Sequence, residues 1–215
     1  PPSFKHYNLT YLKRDQLLLK KITFNRGEID ISYTDRVDIA AADWEPKAKK
    51  IDRLTVKNIS GDRVLDVRFG HSYLGTVVGN PEHADHRERE QTALNCRLLL
   101  DKISIFRNNG ELNRNYVFSY NRNPLPPKNS SSTDHWGYYN GANNTSWLPS
   151  EGASRQPSFQ YTEASILKKV YYNSGGHVEY EYEANKDKKN VVKGGVRIKS
   201  IRKYDAGILM ETTSY

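Results

Sequence analysis

The chain has 215 residues, 33 Lys and Arg against 25 Asp and Glu, and a formal net charge of +8. Its hydrophobic fraction is 36% and its mean hydropathy −0.81, and no run approaches the roughly 18 apolar residues that a membrane-spanning helix needs. A single cysteine, Cys96, excludes an internal disulfide and a cysteine-based zinc cluster. No phosphate-binding loop, dinucleotide fingerprint, zinc-protease motif or nucleophile elbow is present. Low hydropathy with high charge would suit a disordered chain, but 15 Tyr, 6 Phe and 3 Trp argue for β-structure, because aromatic rings suit a half-buried pleated face.

The start, Pro1-Pro2-Ser3, carries neither an initiator Met nor a signal peptide, which reads as a piece of a longer chain. The first clear element is Leu19-Lys-Lys-Ile-Thr-Phe-Asn-Arg-Gly27, leading into Glu28-Ile-Asp-Ile-Ser-Tyr33. This is a strand, a glycine turn, and a strand whose Ile29, Ile31 and Tyr33 share one face. The same loose frame, L-x-x-I-x-Φ with Φ an apolar residue (in outline Φ-x-x-Φ at its start), then a turn with Asn or Ser and Gly, then Φ-x-Φ, starts again at Ile51, Leu100 and Leu167. The copies beginning at 19 and 167 match most closely. Irregular spacing excludes a solenoid or a propeller and predicts one antiparallel system of hairpins with insertions of growing length.

Between the hairpins, residues 34–50 form a polar connector. Residues 75–97 form a longer one, in which Asn80-Pro81 predicts the start of one short, highly charged helix. Residues 121–160 lack strand periodicity and are rich in Pro, Ser, Asn and Gly. They also carry Asp134-His-Trp-Gly-Tyr-Tyr-Asn-Gly141 and Trp147-Leu-Pro149, too aromatic for a linker, so a long loop pinned to the protein body is expected. Gly194-Gly195 predicts a turn before a further strand, with the start of a partner strand at Ile208–Tyr215. The fold class is therefore all-β and mainly antiparallel: repeated hairpins in a twisted or sandwich-like sheet assembly, a long aromatic loop and at most one short helix. Residues 1–215 read as one β-rich domain or a fragment of a larger chain, with sub-units 1–120, 121–160 and 161–215.

Several residues together carry a resemblance. Arg36-Val-Asp38, Asn58-Ile-Ser-Gly61, Arg97-Leu-Leu-Leu-Asp101, Leu125-Pro126, the block 134–141, Leu148-Pro149, Gly175-Gly176 and Gly194-Gly-Val-Arg-Ile-Lys-Ser-Ile201 resemble a group of proteins of Bacteroidetes bacteria. Those look like large secreted or surface-associated chains that run into YD-type (rearrangement-hotspot) hairpin repeats. The hairpin frame is itself similar to a YD repeat, with Tyr204-Asp205 the best-preserved Tyr-Asp pair. The resemblance implies an exported, cell-surface parent chain. The group supplies no activity, so no catalytic residue is carried over.

Candidate chemistry is sparse. His83-Ala-Asp-His86, flanked by Glu82, Glu88 and Glu90, has metal-ligand residue types but reads as a solvated charged surface, so neither metal nor cofactor is expected. Asp134 and His135 lie beside Ser130–Ser132, but neighbours on an extended chain point apart, and a role in holding the loop's own backbone is the better reading. Trp136, Tyr138, Tyr139, Asn140 and Trp147 form the candidate ligand set, since aromatic faces stack on sugars while Asn140, Asn143 and Asn144 can bond hydroxyls; buried structural aromatics would give the same sequence. From Lys186 to Lys203, eight Lys or Arg face only Asp187, yet their alternation along a strand points them to water, and nucleic acid is not expected. Cys96 reads as a small buried hydrophobe, and the sequons at Asn8 and Asn58 have no special meaning in a bacterial chain. The sequence thus favours a non-catalytic structural or binding module whose partner is the rest of its parent polypeptide. A glycan-binding module built on 134–148 is the alternative, and a polysaccharide-active enzyme comes third.

Overall fold

The structure is a computed structural model that describes residues 17–40, 47–80 and 83–215. Pro81 and Glu82, residues 41–46 of the first connector and the Asn8 sequon lie outside them.

Among the described residues, ten strands form one antiparallel sheet in strict chain order: β1 (Lys21–Phe24), β2 (Gly27–Asp35), β3 (Lys49–Asn58), β4 (Arg63–Leu74), β5 (Arg97–Arg107), β6 (Leu112–Tyr120), β7 (Leu167–Tyr172), β8 (His177–Lys186), β9 (Val192–Asp205) and β10 (Ile208–Ser214). Each strand pairs with its chain neighbour, so the assembly is a single open meander. Three tight turns need glycine for one reason. Gly61, Gly110 and Gly175 sit at φ near +85° to +91°, and each donates its amide to the carbonyl three residues back, the left-handed position of a three-residue hairpin loop.

The spacing of three in Φ-x-x-Φ has a structural cause. On a plain strand, residues three apart face opposite sides. Here one residue of each frame is a β-bulge, which restores both apolar residues to one face. Ser32 pairs with Arg53 but Tyr33 with Ile51, leaving Asp52 extra. Gly70 pairs with Lys102 but His71 with Leu100, leaving Asp101. Ser119 and Tyr120 pair with Lys169 and Leu167 around Lys168. Glu181 and Tyr182 pair with Ser200 and Ile198 around Lys199. The frame beginning at Ile198 is a fifth hairpin that runs into β10. Each junction also sets the second apolar residue of its frame against an equivalent partner: Leu54 faces Ile31, Ile103 faces Phe69, Val170 faces Phe118 and Ile201 faces Tyr180.

The registers give the sheet two different faces. One holds Ile29, Ile31, Leu54, Val56, Val67, Phe69, Ile103, Ile105, Tyr116, Phe118, Val170, Val178, Tyr180 and Ile201. The other is laced with ion pairs: Lys57 to Glu28 and Asp30, Arg53 and Arg68 to Asp66, Lys169 to Glu179, Lys199 and Arg202 to Glu181, and Arg197 to Glu183. Few apolar side chains are buried: Ala84, Cys96, Leu99, Ala153, Ala164, Val170 and Val178 among the described residues. Most of the apolar face is only half-covered.

Among the described residues one helix exceeds a single turn, α1 (His86–Asn95). It begins later than Asn80-Pro81 would place it, because Asp85 is the better cap. Its Oδ1 accepts from the Glu88 amide at 2.8 Å, and Glu88 Oε2 accepts from the Asp85 amide at 3.0 Å. A single-turn helix, α2 (Phe159–Thr162), and a 3-10 turn at Pro149–Glu151 lie in the long loop. Among the described residues no helix is long and apolar enough to cross a membrane.

Candidate functional site

The loop between β6 and β7 is pinned at its base. Asn121 donates to Ile166 at 2.9 Å and Ser165 back to Asn121 at 3.0 Å. Farther along, the Lys128 amide donates to Leu94 at 2.9 Å and Arg97 Nη2 to the Pro126 carbonyl at 2.9 Å. Beside this seam lies buried Asp38. It is gripped by Arg36 at 3.0 and 2.8 Å and accepts from the Leu98 amide at 3.3 Å. Burial works to raise the Asp38 pKa, but the Arg36 contacts, with Lys128 nearby, outweigh it and hold the carboxyl below the usual carboxylate range. Adjacent Cys96 is fully buried, and burial pushes its thiol up, away from reactivity.

The tip of the loop is organised by Asp134. Its side chain is fully buried, and Oδ1 accepts from the backbone amides of Trp136 at 2.8 Å and Tyr138 at 3.0 Å. Gly137, at φ 89°, closes the turn by donating its amide N–H to the Asp134 carbonyl. An aspartate that accepts two and four residues ahead forces the intervening side chains outward. Asp134 alone is therefore the turn device; His135, expected to be buried with it and to share that role, stands exposed with its ring edge-on to Trp136.

The aromatic candidates divide. Trp136, Tyr138 and Trp147 are 51%, 47% and 53% exposed, so their rings are available to a ligand. Trp136 and Tyr138 rest on neighbouring glycines of β9: a Cβ on Gly194 would lie 2.7 Å from the Trp136 Cβ, and one on Gly195 3.1 Å from the Tyr138 ring. These two glycines are buried within the strand and do not form the turn that their sequence suggests. That turn lies earlier, where Asp187 and Val191 bond across Asn190. The glycines instead leave this stretch of β9 bare of side chains, so that the loop can lie on it. Trp147 carries the Arg155 guanidinium 5.7 Å from its ring centre, and Arg155 Nη1 also holds Thr133 Oγ1 at 3.0 Å.

Tyr139 and Asn140 turn the other way. Tyr139 packs edge-on against Tyr161 at 5.3 Å. Asn140 is buried; its amide nitrogen donates to Ser154 at 2.9 Å and Gln156 at 3.1 Å, and its oxygen accepts from Ala142 at 3.1 Å. Asn144 is spent in the same way on Ser131 and Ser154. Asn140 and Asn144 staple the loop to itself, whereas Asn143 is exposed, so the exposed candidates are Trp136, Tyr138 and Trp147 for stacking and Asn143 for a sugar hydroxyl.

A second feature is absent from the sequence-based candidates. On the charged face, Asp52, Arg53, Arg68, Gly70, Lys102, Ser104 and Phe106 line an open groove of about 610 Å³. Asp66 lies within this cluster, 1% exposed, with Arg53 at 2.5 and 2.7 Å and Arg68 at 3.1 and 2.9 Å. Burial works to raise the Asp66 pKa, yet the two guanidinium groups hold it below its ordinary value. Arg68 also stacks 4.5 Å over Phe106. The basic stretch 186–203 is largely neutralised in place, Lys193 by Asp187, Arg197 by Glu183, Lys199 and Arg202 by Glu181, and Lys203 by Glu211. Among the described residues no three His, Cys, Asp or Glu side chains gather as a metal site.

No family model matches the chain, and no curated protein matches it. Among solved structures, a porin-like protein from Bacteroides uniformis ATCC 8492 is similar at 9% identity over 89% of this chain and 72% of that one, with a TM-score of 0.26.

Proposed function

We propose that this chain is a non-catalytic module of a larger exported bacterial surface protein, a stretch of hairpin-built sheet that further hairpins of the same frame continue along β10. The observation that carries the reading is the junction rule. Four successive hairpin junctions repeat one register, one bulge and one pairing of apolar residues, and β10 carries the outgoing half of a fifth. Thr213 and Ser214 pair with Ile201 and Ser200, which sets Tyr215 in the place held by Ile31, Phe69, Phe118 and Tyr180 elsewhere. Around it Ile208, Leu209, Met210 and Tyr215 are 51–74% exposed. An antiparallel edge with such a row of apolar side chains is suited to accept another strand. The similarity of the frame to YD-type repeats agrees with this role.

Hydrogen exchange of the β10 amides tests it, comparing the 215-residue chain with a version extended into its parent polypeptide. At least tenfold slower exchange in the extended chain is expected. Unchanged exchange would overturn the reading, as would turnover of a polysaccharide by the 215-residue chain.

One observation favours a second reading, glycan binding at the aromatic loop: both indoles that a pure scaffold would bury are half-exposed. Titration with neutral oligosaccharides would then change Trp fluorescence, and Trp136→Ala would remove the change; no response at millimolar sugar rules this reading out.

A further inference from the structure

The charged face repeats as the hairpins do, and one stretch of it departs from the repeat. The third residue of the frames at 19, 51, 100 and 167 is a cation: Lys21, Arg53, Lys102 and Lys169. Across its own hairpin Lys21 meets Asp30, and Lys169 meets Glu179. Arg53 instead faces Arg68, and Lys102 faces Val117. Because β3, β4 and β5 are neighbours, the two exceptions lie side by side, and together they line the open groove of about 610 Å³.

Gly70 makes the hollow in this groove. It stands just before its junction's register shift, where the other junctions carry Ser32, Ser119 and Glu181, so the bulge does not require a glycine. Its φ is not left-handed either. A missing side chain on a strand leaves the backbone open to close approach by a ligand. Cations border the gap. Lys102 lies directly opposite Gly70, at about 5 Å between Cα atoms. Arg68 lies about 7 Å back along the same strand, with Arg53 opposite it. Asp66, 1% exposed, accepts two N–H bonds from each arginine, which fixes both guanidinium groups and leaves further donors on each. The lining thus holds three cations and one carboxylate, Asp52, and its arginines are set before a ligand arrives.

We propose that this groove binds acidic sugars, with the carboxylate of a uronic acid residue seated over Gly70 between Lys102 and Arg68. A groove of this volume holds far more than a lone ion. Planar guanidinium groups suit a planar carboxylate, and the open side admits one unit of a longer chain. Three cations are too few for the phosphate array of a nucleic acid. The inference rests neither on extension of the sheet at β10 nor on the aromatic loop, so each can fail without the others.

Titration of the 215-residue chain with trigalacturonate at low ionic strength is expected to give saturable binding that weakens as salt rises. The amide NMR signals of Gly70 and Lys102 should shift as the sugar is added. Neutral galactotriose should bind at least about tenfold more weakly, the worth of one charge-assisted bond. Lys102→Gln should weaken trigalacturonate binding by about the same factor. Gly70→Ser, whose Cβ would lie 3.2 Å from the Lys102 Cβ, should weaken it too, although two other junctions carry serine at this place. Lys169→Gln, which removes the same charge from the same frame position in the next hairpin, should leave the affinity unchanged. No saturation at millimolar trigalacturonate, equal binding of the neutral sugar, equal competition by inorganic sulfate, or equal weakening by Lys169→Gln would each overturn the proposal. Shifts confined to strands other than β3, β4 and β5 would overturn it in the unsubstituted chain, whether or not the groove variants fold.

Discussion

The Tyr182 hydroxyl donates to the Leu167 carbonyl at 2.8 Å, across the width of its own hairpin. The Cα of the same tyrosine lies opposite Ile198, the first residue of the next frame. One side chain thus locks its own hairpin and marks where the next one attaches. Tyr182→Phe removes the bond and leaves a partly buried carbonyl without it, an expected loss of about 1 kcal/mol. Urea unfolding, with Tyr180→Phe as the neighbouring control on the same face, checks the magnitude; an equal loss in both variants would show that the hydroxyl bond is not the cause.

Asp66 makes stability depend on acid. Its folded-state pKa is depressed, so on acidification the unfolded chain takes up the proton first. The stabilisation is therefore complete above the ordinary carboxylate range and is lost as pH falls through the lower, folded value. Asp66→Asn should cost about 2 kcal/mol at neutral pH, because charge-assisted bonds from both arginines are weakened at a buried position. The same variant should show a shallower loss of stability between neutral pH and strong acid, read as the midpoint of thermal unfolding against pH.

Gly175 and Gly110 test the turns in isolation. A Cβ at either position meets nothing within 4 Å, so only backbone strain at φ 91° and 85° opposes a side chain. Gly175→Ala and Gly110→Ala should each cost about 1–2 kcal/mol, while the corresponding Asn substitutions, which tolerate the left-handed region better, should cost less. Chemical denaturation of the four variants orders them.

Gly194 tests contact in place of strain. Its φ is not left-handed, but an added Cβ would press on Trp136 at 2.7 Å. Gly194→Ala should lift the loop tip from β9, increase iodide quenching of Trp fluorescence, and destabilise the protein by about 1–3 kcal/mol. Gly152→Ala, in open space elsewhere in the same loop, should leave the quenching unchanged.

The hairpins were legible because their signals are local: period-two alternation, Gly in the turns, and a frame repeated at 19, 51, 100 and 167. The bulges came only with the strand registers, which show why apolar residues three apart share one face: one residue of each frame is extra. The fifth hairpin was harder to read, because Gly194-Gly195 imitates a turn; only the packing of Trp136 and Tyr138 on these glycines gives them their use. The start of α1 lies later than Asn80-Pro81 suggests for a comparable reason, a proline being a weaker signal than the reciprocal bonds of Asp85 and Glu88. In the aromatic loop the residue types pointed to a surface that sugars could use, but not which members face outward. That depends on Asn140 and Asn144 meeting backbone carbonyls ten to sixteen residues away, a long-range fact without a local pattern. The Arg53–Asp66–Arg68 cluster was illegible for the same reason, its members being joined only by the register of β3 and β4.

The bulged residues Asp52, Asp101, Lys168 and Lys199 recur once per hairpin at the same level of the sheet. A bulge bends its strand and sharpens the right-handed twist at that point. Stacked along one margin, such bends add up, so a ribbon lengthened by this rule rolls like a scroll and cannot spread as a flat plate. Its lining and its outer skin are then decided by which face, salt-bridged or greasy, turns toward the axis of the roll.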